Sequence, residues 1–187
     1  MQVWLPSPKE NVGPKESLGR RLFDRPKLIG AIGQKEVPSL DYRDFEDSGD
    51  GKVSLDRLGR YGPEKPVLNY LALRAHAAGE RRKPSLEFNG WVSIQKQKLV
   101  GSKKMQIDVV SSPEEREELT EIEKNIYHSH VEATPPATLV EGNPFFLYFL
   151  ALHLKMMFEK HGTILGTPPV QHHEAGQTSG KVDGISG

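Results

Sequence analysis

The stretch FNGWVSIQKQKLVGSKKMQIDVV, Phe88 to Val110, decides the fold class. Phe88 to Gln95 and Lys104 to Val110 both read as strands, rich in the apolar and aromatic residues that suit a pleated surface, and VGSK between them supplies a turn. The segment predicts a β-hairpin. Working outward, Ser112 to Asn125 predicts a helix, with Ser112 as N-cap, Pro113 at the first position, Glu115 closing a capping box and further acids in the first turn. A third strand, IYHSHVEA, spans Ile126 to Ala133. After a proline-rich loop, Asn143 caps a strong helix that has Pro144 at its first position and runs to His161, where Gly162 stops it. Only Tyr148, Lys155 and Glu159 make a polar stripe on that helix, which predicts a central, buried element.

Upstream, Pro66 to Ala78 predicts a helix with Val67, Leu68, Leu71 and Ala75 on one side and Gly79 at its end. Ser17 to Leu28 also reads as a short helix, ended near Pro26. These elements amount to an α+β domain over residues 17–166, with a small, mostly antiparallel sheet flanked by helices. Polar arms, 1–16 and 167–187, extend from it, each too poor in apolar residues to build a core.

A chain of 187 residues suffices for one domain with a substantial core, and a mean hydropathy of -0.54 with 14 prolines fits a globular protein carrying polar loops. The absence of cysteine excludes disulfides, thiol catalysis and cysteine-ligated zinc. No basic region followed by an apolar run opens the chain, and the longest apolar run, Pro144 to Leu152, is too short to cross a bilayer. A soluble, cytoplasmic protein with no membrane partner is expected.

Net charge is zero but unevenly placed. Residues 57–104 hold eleven Lys and Arg against three acids, whereas residues 105–141 hold two against nine. Such blocks suit a charged protein partner or self-association, or neutralise each other within the fold. Within the basic block Arg81, Arg82, Lys83, Lys96 and Lys98 accompany Trp91, a combination able to bind a phosphate backbone and stack a base. The chain as a whole lacks the basic excess of a dedicated nucleic-acid binder.

Two motifs invite a reading and fail it. Asp47 to Leu58, DSGDGKVSLDRL, evokes a calcium loop, yet with Gly51 as the central glycine the closing carboxylate position is Arg57. A Gly/Asp turn followed by a short helix is the alternative. The two glycines of IGAIGQKEV, Ile29 to Val37, have the GxxG spacing of a backbone clamp, but apolar Ala31 and Ile32 lie between them and Pro38 follows.

Histidine carries the remaining chemistry. Period two along the third strand puts His128, His130 and Glu132 on one face, the ligand types of zinc or manganese and also groups for proton transfer. His153 falls opposite the polar stripe of its helix and should be buried, partnered by a carbonyl, by Tyr127, or by His128 or His130. His172 and His173 lie in the tail. No nucleophile elbow, phosphate loop, dinucleotide fingerprint or HExxH sequence occurs. Two functions follow as expectations: an intracellular binding or accessory protein working through protein contacts or self-association, or a small metal-dependent or histidine-based hydrolase or nuclease using His128, His130, Glu132 and His153.

Overall fold

The computed structural model describes residues 10–24, 37, 39–46, 52–59, 65–82, 86–101, 105–115, 117–121, 124–135 and 143–166. Over these the chain forms strands β1 (Ser17–Phe23) and β2 (Val53–Gly59), helix α1 (Lys65–Arg82), strand β3 (Phe88–Gln95), the short helix α2 (Lys96–Val100), strands β4 (Gln106–Ser111) and β5 (His128–Thr134), helix α3 (Pro144–His161) and strand β6 (Thr163–Gly166). The strands make one antiparallel sheet in the order β4-β5-β2-β1-β3-β6. The fold is α+β.

Each sheet face buries a separate apolar cluster. On one face Leu18, Leu22, Val53, Leu55, Val92, Ile94, Val109 and Val131 pack beneath α3, which contributes Leu150, Ala151, Leu154 and Phe158. On the other, Leu58, Phe88, Trp91 and Tyr127 meet Val67, Leu71, Ala72 and Ala75 of α1. α1 extends to Arg82, past Gly79, where the sequence had it ending. α3 has the limits its caps predict, with the Asn143 side chain accepting from Phe145 N at its start.

Three segments expected as helices are corrected. Ser17–Phe23 is a strand because Leu18, Arg20 and Leu22 alternate with Gly19, Arg21 and Phe23, and pairing on both sides satisfies its backbone. Val53–Gly59 is likewise a strand and not a short helix. Ser112 to Asn125 makes no helix among its described residues: Glu114 and Asn125 pair across an isolated bridge, which extends β4 and β5 into a hairpin with a long connection.

That hairpin replaces the expected one. β3 pairs with β1 and β6, whereas β4 pairs with β5, and α2 carries the chain between them. Residues 10–16, expected to belong to an arm, contribute buried Val12 and Glu16 to the fold. The GxxG glycines, the calcium-loop residues Ser48, Asp50 and Gly51, residues 1–9 and the tail 167–187 lie outside the described residues.

Candidate functional site

β1 and β2 part company halfway along. Their register covers only Ser17 to Gly19 against Gly59 to Asp56; beyond that β1 continues along β3 and β2 along β5. A split in a sheet leaves backbone groups without ladder partners, and each needs another. Arginines fill this one. Arg20 Nη1 donates to Ser54 O at 2.8 Å, and Arg21 reaches Asp56 with Nε and Nη2, both at 2.8 Å.

Asp56 is 2% exposed and accepts two more hydrogen bonds, from Trp91 Nε1 at 2.7 Å and Asn125 Nδ2 at 2.8 Å. Burial pushes its carboxyl up, but the Arg21 guanidinium and the four donors outweigh that and hold it below the ordinary carboxylate range. Burial likewise works against the Arg21 charge, and Asp56, with a smaller contribution from Glu114, overcomes it and raises the guanidinium pKa. The result is a fixed cation at the floor of a cleft of about 320 Å³, whose walls include Arg43, Arg81, Glu114 and His128.

His128 and His130 project from the same side of β5 as Asp56 does from β2, since they pair with Asp56 and Ser54. Ser112 joins them: its Oγ lies 2.8 Å from His128 Nδ1 and 2.7 Å from His130 Nδ1. His128 Nδ1 is also 2.8 Å from the Ser112 carbonyl, which only accepts, so that nitrogen carries hydrogen and the neutral ring presents a lone pair at Nε2. This Nε2 is buried and has no hydrogen-bond partner among the described residues; it lies 4.0 Å from Glu114 Oε1. His130 Nε2 meets Glu132 Oε1 at 3.0 Å.

The predicted His128, His130 and Glu132 therefore do share a strand face, but their nitrogens serve Ser112, Glu132 and the cleft, and among the described residues no three His, Asp or Glu side chains are placed to hold a metal ion. His153 does not join them. It is buried on α3, which packs on the Val131 side of the sheet, so the sheet itself separates it from His128 and His130. Tyr127 belongs to the α1 side, with its ring edge against Tyr70, and is not the partner of His153.

The proposed base-stacking surface does not form either. Trp91 is fully buried, Lys96 is held by Asp108 and by Val109 O, and Lys98 lies on α2, across the sheet from Arg81. Lys83 and the side chain of Arg82 lie outside the described residues. The two charge blocks meet in the Lys96–Asp108 ion pair and again at Arg74, whose guanidinium donates to the Glu121 and Lys124 backbone carbonyls and stacks over Tyr70.

Sequence reasoning missed Arg21, Asp56, Asn125 and Ser112. A faint signal existed, because the charged pair Asp56-Arg57 stands between Leu55 and Leu58. It also missed the outer side of α3. There Phe145 is 69% exposed and Phe149 and Met156 are 54% exposed, outside the polar stripe of Tyr148, Lys155 and Glu159 that the sequence assigned to this helix. Among the described residues no helix is long and apolar enough to cross a membrane. Comparison with protein-family models, curated proteins and solved structures finds no match to this chain.

Proposed function

We propose that the protein acts by binding protein, through the outer side of α3, and that the partner is a second copy of the chain. One observation carries this reading: Phe145, Phe149 and Met156 face water from a helix whose inner side is already packed. Large apolar side chains exposed as a contiguous stripe mark contact surfaces. With Leu152 they recur at i, i+4, i+7 and i+11, the spacing of one helix face.

The stripe is complementary to itself. In an antiparallel pair about a twofold axis Phe145 meets Met156 of the partner subunit and Phe149 meets Leu152 of the partner subunit, so every aromatic ring faces a flexible aliphatic or thioether group. Antiparallel macrodipoles favour that orientation. A formal net charge of zero removes the mean repulsion between copies near neutral pH. The area is small for a stable interface, which sets the dissociation constant on the order of tens of micromolar.

The chain has no cysteine, so trapping is clean. Phe149→Cys and Leu152→Cys variants, mixed and oxidised, should form the mixed disulfide dimer well ahead of a Lys160→Cys control. Equal rates for all three positions would reject the antiparallel pairing.

A second reading, a histidine-based hydrolase, is supported by the chain Glu132, His130, Ser112. With His130 Nε2–H donating to Glu132, its Nδ1 accepts the Ser112 hydroxyl proton, and that proton would pass to Nδ1 as Oγ attacks an acyl carbon. A fluorophosphonate probe should then label the protein and spare Ser112→Ala; no labelling would dismiss the reading.

A further inference from the structure

Beyond that contact surface, we infer that the split between β1 and β2 is a binding site for a phosphate-bearing small molecule, with its anionic head between Arg21 and His128. Four features of the cleft point there. Arg21 spends two of its five donors on Asp56, leaving three, including the end-on fork, with no partner among the described residues. Such a fork matches the geometry of phosphate oxygens, and its orientation is already fixed by the buried carboxylate. His128 lines the same wall, and its buried Nε2, with no hydrogen-bond partner among the described residues, can accept from a protonated phosphate oxygen or, once protonated, donate to a bare one. An orphaned buried nitrogen is costly unless something meets it.

Charge balance agrees. Among the described residues that line the cleft, five arginines, Arg21 and Arg74 among them, stand with three acids, Asp44, Asp56 and Glu114. Asp56 is consumed by Arg21, and Arg74 is held by carbonyl oxygens, which do not cancel its charge. The volume, about 320 Å³, lies at the small end of ligand pockets and suits a head group with a short substituent. Glu114 is a carboxylate near both key groups, partly exposed and 4.0 Å from His128 Nε2, beyond hydrogen-bond range. It holds the place that the ligand's anion would take.

This assigns opposite signs to two neighbouring residues. Calorimetric titration of the full chain with inorganic phosphate and with pyrophosphate, at constant ionic strength set by chloride, should give saturable one-to-one binding. Glu114→Gln removes a competing anion and should tighten it roughly threefold or more, whereas His128→Gln should weaken it by about tenfold. Melting curves of each variant confirm that the fold is retained. Heats that never saturate, or an affinity indifferent to both Glu114→Gln and His128→Gln, would overturn the assignment. Tighter binding of a short oligonucleotide that survives His128→Gln would overturn it as well, by giving the arginines to a polymer.

Discussion

Asp56 and Arg57 are adjacent in β2, point to opposite faces, and each is a buried charge held in an ion pair. Asp56 takes Arg21 on the α1 side; Arg57, fully buried, takes Glu16 with Nε–Oε1 at 2.6 Å and Nη2–Oε2 at 3.0 Å. Removing one member of a buried pair leaves the other charge uncompensated; Arg21, a fifth exposed in the cleft, keeps some hydration, so Asp56→Asn should cost about 3 kcal/mol in urea unfolding at neutral pH. The pH dependence has a definite sign. Since the folded-state pKa of Asp56 lies below its unfolded value, its contribution is present above the unfolded pKa and is lost as pH falls through the folded one. The acid limb of the stability curve should therefore be shallower in Asp56→Asn than in the parent; parallel limbs would show that Asp56 is not among the groups that set it. Arg57 was legible only as the residue that spoils a calcium loop, because Glu16 stands 41 positions away and no local pattern announces it.

Among elements, what was legible had local causes. The limits of α3 follow from Asn143, Pro144 and Gly162, so Asn143→Ala should cost about 1 kcal/mol, read as a lower melting temperature. Ser112 to Asn125 carries helix-start signals of the same kind, yet Asn125 is required at Asp56 and at Tyr127 N, and the bridge to Glu114 overrides them. Gly90 makes a sharper demand than any cap. Its φ is +129° and a Cβ there would lie 2.1 Å from Leu165 O, in the β3–β6 pairing. Gly90→Ala should cost about 2 kcal/mol or more, with hydrogen exchange accelerating first in the β6 amides. Protection of β6 equal to the parent's would refute this account of the glycine.

For the molecule as a whole, composition and patterning yield the α+β class, but not the strand order. β3 and β4 are consecutive strands that read as a hairpin, and the sheet places them four positions apart, since β1, β2 and β5 intervene. Pairing partners are chosen by which apolar faces α1 and α3 can cover together, a long-range condition absent from any window of sequence. The same condition hid the cleft, which exists because β1 and β2 diverge, and it hid the exposed side of α3, because hydropathy alone assigns so apolar a helix to the interior. Sedimentation velocity from low to high micromolar concentration tests self-association through that helix most directly. The parent chain should shift reversibly from monomer to dimer, while Phe149→Glu, exposed in the monomer and central in the pair, should stay monomeric with an unchanged melting temperature. A parent that remains monomeric throughout, or a Phe149→Glu variant that dimerises as the parent does, would contradict the proposal.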